Sequence, residues 1–125
     1  DHEDEGDAVA AMNAYIKAIT LLPTPRTQWE AATLMYTALG DALLYQERYD
    51  EAHRAFQTAL QSPGGTGNGY VWLRLGDNHK AAGRMDEALK AFTSAYMIDG
   101  AEIFEDNDDD LEWLEREGIA EKLSE

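Results

Sequence analysis

Apolar positions along the chain recur at steps of three and four rather than two, a spacing that predicts amphipathic helices and no strands. Trp72, Leu75, His79 and Ala82 form one buried stripe, and Gly76 beside them lets a neighbouring helix approach. A turn follows at Gly83-Arg84. The next stripe is Ala88, Phe92 and Ala95, in which two alanines flank one aromatic so that the ring can enter the facing groove. Such a pattern describes two antiparallel helices closing on each other.

It also occurs twice. Residues 39–59 align without a gap on residues 75–95, with 10 identities in 21 positions at an offset of 36. Leu39-Gly40-Asp41 returns as Leu75-Gly76-Asp77 and Arg48 as Arg84. Asp50-Glu51-Ala52 returns as Asp86-Glu87-Ala88, and Ala55-Phe56 with Ala59 as Ala91-Phe92 with Ala95. A period of this length is that of a helical repeat, whose units bury their apolar faces against their neighbours.

These residues resemble the tetratricopeptide repeat family, which places Trp, Leu-Gly and Tyr on one helix and Ala, Phe, Ala and Pro on the next. Repeat one (27–63) has Tyr36, Leu39-Gly40, Leu43, Ala52, Phe56, Ala59 and Pro63; repeat two (69–100) has Trp72, Leu75-Gly76, His79, Ala88, Phe92 and Ala95, with Gly100 where proline is usual. Upstream, Ala11, Tyr15, Ala18 and Pro23 match a second helix alone, so residues 6–22 read as a half-repeat whose partner helix would precede Asp1. The Pro23-to-Arg26 turn would join it to a helix from about Thr27 to Gln46. The resemblance, over roughly residues 8–100, implies an all-α fold. In it, antiparallel helix pairs stack as a short solenoid of about two and a half repeats, forming one domain over residues 1–125. Residues 101–125 are the expected acidic C-terminal cap, with Leu111, Leu114, Ile119 and Leu123 along an amphipathic closing helix. Between the repeats, Ser62 to Gly69 reads as a flexible glycine-rich connector; it follows a helix and lacks the lysine of a phosphate loop.

Charge narrows the choice of partner. The 125 residues hold 25 Asp plus Glu against 10 Lys plus Arg, a formal net charge of -15, which repels phosphate backbones and anionic lipid and attracts basic proteins. Nucleic acid and membrane are therefore not expected partners. The absence of cysteine leaves no disulfide, thiolate nucleophile or Cys-ligated zinc, and with no apolar run of about 20 residues a cytoplasmic location is the expectation. The chain opens at Asp1 without methionine, as a processed or trimmed product would.

Candidate chemistry is sparse. Asp106, Asp108, Asp110 and Glu117 stand at the first, third, fifth and twelfth places of a calcium-loop spacing, but Leu111 occupies the sixth, where the tight turn wants glycine. A solvated acidic turn, with Asp109 or Asp110 capping the next helix, is the expected reading. His2, His53 and His79 are dispersed, and His79 reads as a hydrogen-bonded core residue; Trp29, Trp72 and Trp113 read as core anchors. No serine elbow is present, no carboxylate pair is marked for acid and base work, and no cofactor is implied. A non-enzymatic role follows.

Family resemblance places the groove positions at Leu34, Thr37, Asp41, Leu44 and Tyr45 in repeat one and at Tyr70, Leu73, Arg74, Asp77 and Lys80 in repeat two. Members that grip acidic chaperone tails use Lys and Asn there, whereas this chain has Thr37 and Leu73 for the lysine and Asp41 and Asp77 for the asparagine, which would repel a peptide carboxylate. Tyr45 and Tyr70 beside Asp41 and Asp77, with Arg74, suit an apolar or aromatic anchor rimmed by Lys or Arg; Asp108, Asp109 and Asp110 on the tail form a rival binding surface. The segment Ala101 to Asp106 is similar to the tails of small bacterial tetratricopeptide proteins found with polymorphic and Rhs-type toxins. The expected function is thus an immunity protein that neutralises a basic cognate toxin domain. A general scaffold or secretion chaperone holding a client segment is the alternative. Because the helix seam has no room for added methylenes, Ala52→Leu or Ala88→Leu is expected to cost about 1–3 kcal/mol in thermal or denaturant melts.

Overall fold

The computed structural model describes residues 2–21 and 30–119. Among the described residues the helices are α1 (His2–Thr20), α2 (Glu30–Tyr45), α3 (Tyr49–Gln61), α4 (Gly69–Ala81), α5 (Met85–Asp99) and α6 (Asp108–Leu114). A 3-10 turn at Ala101–Phe104 precedes α6 and a π-helical turn at Glu115–Ile119 follows it. The fold is all-α, built of antiparallel helix pairs as expected. Helix α1 begins earlier than the expected residue 6. The expected Pro23-to-Arg26 turn, the helix start at Thr27, Trp29 and Leu123 lie outside the described residues. The helices gather into two compact units, Asp1–Thr66 and Gly67–Glu125.

Each unit is organised by one aromatic ring lying on a glycine. In the first, Phe56 of α3 is fully buried against Gly40 of α2, and a Cβ placed on that glycine would collide with the ring. In the second, a Cβ at Gly76 of α4 would stand 2.5 Å from Phe92 Cδ1, far inside van der Waals contact. Ala52 and Ala59 beside Phe56, and Ala88 and Ala95 beside Phe92, are completely buried, their small side chains letting the ring reach across the seam.

The turns that close the two pairs share one geometry. The Arg48 N–H bonds to Leu43 O at 2.9 Å and the Glu47 N–H to Leu44 O at 2.9 Å; in the second pair Arg84 N–H meets His79 O at 2.8 Å and Gly83 N–H meets Lys80 O at 3.0 Å. Crossed bonds of this kind satisfy the last carbonyls of the first helix and require a left-handed residue at their centre. Gly83 has φ 85° and Glu47, its equivalent, φ 62°. Behind each turn, Asp50 and Glu51 or Asp86 and Glu87 occupy the first turn of the second helix, where carboxylates favour the positive end of its dipole.

The glycine-rich connector is a packed turn where it leaves α3, not the flexible linker its composition suggests. Ser62 is buried with its hydroxyl donating to Thr58 O at 2.9 Å, Gly65 N–H bonds to Ser62 O at 2.9 Å, and Thr33 Oγ1 donates to Pro63 O at 2.8 Å. At its other end Asn68 Oδ1 accepts the Tyr70 N–H at 3.0 Å and caps α4.

The acidic segment closes the second unit. Phe104 and Leu114 are fully buried with Leu73, Ala88, Phe92 and Ala95, and Trp113 packs on the edge of this cluster. Phe104 and Trp113 meet Phe92 edge-on, with ring centroids 5.8 and 6.3 Å away. The amphipathic closing helix begins at Asp108, after a 3-10 turn, and α6 runs on into the π-helical turn at Glu115–Ile119. Gly100, at φ 73°, stops α5, and Phe104 must then be buried four residues on.

A left-handed residue with a side chain costs about 1–2 kcal/mol, partly offset by the chain entropy that glycine loses on folding. Glu47→Gly is therefore expected to raise the unfolding free energy by about 0.5 kcal/mol, and Gly83→Glu to lower it by a similar amount, in urea titrations of the two variants.

Candidate functional site

The first-helix faces of the two pairs carry the residues expected to bind a partner, and the two differ. On α2 in the first unit, Leu34 is 72% exposed and Tyr45 is 55% exposed, with half-buried Ala38, Asp41 and Leu44 between them. Thr37, expected in the groove, is instead buried, its hydroxyl turned back to Thr33 O at 2.6 Å. A threonine on a helix satisfies its hydroxyl this way, which lets Thr37 be buried without an unpaired donor.

On α4 in the second unit only the ends of the expected set remain open. Tyr70 is exposed, but Leu73 is buried in the cluster with Phe104 and Leu114, so this expected groove position belongs to the core. Arg74 Nη1 pairs with Asp77 Oδ2 at 2.7 Å, both side chains being largely covered. Lys80 pairs with Asp110 of α6 and stands 5.8 Å from the centre of the Trp113 ring. A cation over an aromatic face and against a carboxylate is held on two sides.

A groove residue and a tail residue are thus joined in this unit, Lys80 to Asp110. Asp77 and Asp110 belong to one charge cluster with Arg74 and Lys80, close enough for Asp110 to bear on the Asp77 carboxyl. Burial pushes the Asp77 carboxyl up from the usual 3.8 to about 6; Arg74 opposes the shift, Asp110 adds to it, and Lys80 opposes it. Asp108 and Asp109 are exposed, whereas Asp110 is buried. The helix they open is capped by Asn107 rather than by Asp109 or Asp110, although the Asn107 side chain makes no capping bond. All three aspartates lie inside its first turn, where they face the dipole instead.

The calcium-like spacing does not become a loop. From Asp108 the chain is helical, and Glu117 accepts the Trp113 indole N–H at 2.9 Å. Among the described residues no three His, Cys, Asp or Glu side chains converge as a metal site would require. His79 is buried, its Nδ1 accepting Arg84 Nε at 3.0 Å.

One feature of the first unit has no counterpart in the sequence reading. A cleft of about 320 Å³ opens over Tyr36, Leu39 and Leu43 of α2, walled by Met12 and Ile16 of α1 and by Arg48, Glu51, Arg54, Ala55 and Thr58 around and along α3. Its only sequence trace is Ala55 and Thr58, small side chains one helical turn apart.

The paired helices, the glycine under each ring and the offset of 36 between the pairs point to one repeat family, and a model of the tetratricopeptide repeat matches residues 37–110. The chain belongs to the tetratricopeptide repeat family. The matched span takes in α2 from Thr37 onward, α3 to α5 and the start of the cap, and leaves α1 outside. Over 65 residues the chain is also 34% identical to the PsbB mRNA maturation factor Mbb1, a chloroplastic protein of Chlamydomonas reinhardtii; this covers 52% of the chain and 10% of that protein. The family match supports the tetratricopeptide fold, and neither comparison supports the narrower likeness of Ala101 to Asp106 to the tails of toxin-associated proteins. A tetratricopeptide domain points to protein–protein interaction and to a binding module rather than a catalyst. No described helix is long and apolar enough to cross a membrane.

The raised Asp77 carboxyl has a measurable consequence. Between the usual 3.8 and about 6, the folded state holds a proton that the unfolded state has released, so this group's contribution falls as pH rises through that window. Asp77→Asn removes the effect. Relative to the variant, the wild type is expected to lose about 2–3 kcal/mol of stability between about pH 4 and about pH 7, read from urea melts across that range.

Proposed function

We propose that the chain is a protein-binding module whose principal contact face is α2 of the first unit, and that its partner presents an apolar or aromatic side chain rimmed by Lys or Arg. The observation that carries this reading is the solvent exposure of Leu34 and Tyr45, 72% and 55%, on a helix whose other face is fixed by Phe56 on Gly40. A rigid helix presenting two large apolar side chains loses little conformational freedom on binding. Asp41, between them, supplies the acceptor for a basic rim. In the second unit Tyr70 is exposed as well, while Arg74, Asp77, Lys80 and Asp110 are engaged with one another and serve to hold the cap.

Neutralisation of a basic toxin domain, as an immunity protein, is the specific role we favour. The net charge of -15 would steer such a partner onto the module, and speed of capture is what protection against a toxin demands. A scaffold or secretion chaperone would use the same α2 face for a client segment. The relative's name concerns mRNA maturation, and the charge of this chain disfavours direct contact with a phosphate backbone, so a place in such an assembly would run through a protein neighbour.

Affinity capture from the native host, with wild type beside Leu34→Asp and Tyr45→Ala, tests the reading. A basic protein retained by the wild type and weakened about 30-fold by Tyr45→Ala, with an association rate that falls as salt is raised, is the expected result. A neighbouring toxin gene and restored growth on co-expression would establish immunity; a captured partner indifferent to both substitutions would refute the α2 face.

A further inference from the structure

We propose that the cleft between α1 and α3 is a second docking site, opposite in chemistry to the α2 face, and that it takes a peptide segment setting one large apolar side chain beside a single carboxylate. The floor and one wall supply the apolar part. Tyr36 and Leu39 are half-buried, Ile16 remains 43% exposed, and Ala55 and Thr58 leave the space of about 320 Å³ that a larger side chain on α3 would have closed. That volume is at the small end of ligand sites and suits one or two side chains, not a folded element.

The rim supplies the charge. Arg48 is already committed: Nε and Nη2 take both carboxylate oxygens of Glu51, and Nη1 lies 3.2 Å from the Met12 sulfur. Arg54 is exposed on the same rim and makes no ion pair with a carboxylate of the described residues. With Arg48 and Glu51 cancelling, the rim carries one uncompensated positive charge on a chain whose total is -15. The local sign thus runs against the global one. One carboxylate on the occupant satisfies Arg54; a second would find no cation, and the acids of α3, Asp50 and Glu51, stand near it in sequence. A Lys or Arg on the occupant would meet the guanidinium with like charge.

Three capped peptides that share a Gly/Ser background and carry Phe-Asp, Phe-Asn or Phe-Lys at the centre serve as probes, titrated into isotope-labelled protein and followed by amide NMR. The Phe-Asp peptide is expected to shift the amides of Ile16, Leu39 and Thr58 and to bind about fivefold more tightly than Phe-Asn, with Phe-Lys weakest. Arg54→Glu, an exposed change that leaves the fold intact by circular dichroism, should invert that order. Ile16→Asp should abolish binding of all three. Equal binding of the Asp and Lys peptides, an order unchanged by Arg54→Glu, shifts confined to Leu34 and Tyr45, or no shifts up to millimolar peptide would each overturn the proposal. The α2 face is unaffected by any of these outcomes, because none of its residues lines the cleft.

Discussion

A phenylalanine ring resting on a glycine backbone sets the dimensions of both helix pairs. With no Cβ at Gly40 or Gly76, Phe56 and Phe92 reach the opposite helix, and the separation they fix decides which neighbours fit. Alanine at 52, 59, 88 and 95 follows from that separation, since any larger residue would prise the seam apart. The influence of Phe92 extends beyond its own pair. Its edges receive Phe104 and Trp113, so the closing segment is positioned by the same ring that joins α4 to α5. Trp113 then places its face beneath Lys80, and the polar cluster on α4 inherits its geometry from the apolar contact below it.

The charge of the chain is informative as a distribution rather than a total. Four of the cations on the described helices or at their caps are committed internally: Arg48 to Glu51, Arg74 to Asp77, Lys80 to Asp110 and Arg84 to Glu87. At Asp77 and Asp110 the pairing neutralises an acid where apolar packing has begun to exclude water. Most remaining acids stay solvated, so the surface field is more negative at long range than the cluster around Asp77 is at short range. On the proposed reading, encounter and recognition would be governed by different groups, the first by the solvated acids and the second by the side chains of α2 and of the cleft.

The repeat was legible because it is written in small residues. Leu-Gly, Ala-Phe and Ala recur at a fixed offset, and steric fit leaves few other residues that could serve there. The open positions Tyr45 and Tyr70 were legible for the same reason, as they fall on the opposite side of the helix from those glycines. Leu73 was not: its burial depends on Phe104 and Leu114, which approach from more than 30 residues away along the chain. Lys80 and Asp110 are likewise 30 residues apart, and nothing local joins them. Glu47 is a different case, since its alignment with Gly83 was available in the sequence and only the backbone requirement at that position gives it meaning.

Three consecutive aspartates open α6, and the helix turns through roughly 100° between one and the next. Identical letters therefore land in unlike surroundings: Asp108 and Asp109 face water, while Asp110 points inward to an ammonium group. Residue type is constant along this run, but exchangeability is not. The outer two could drift to glutamate, asparagine or serine with little consequence for packing, whereas the inner one must match the length and charge of a lysine that is itself seated on an indole. Selection acting on the cap would see a single constrained site inside what composition counts as an acidic tract.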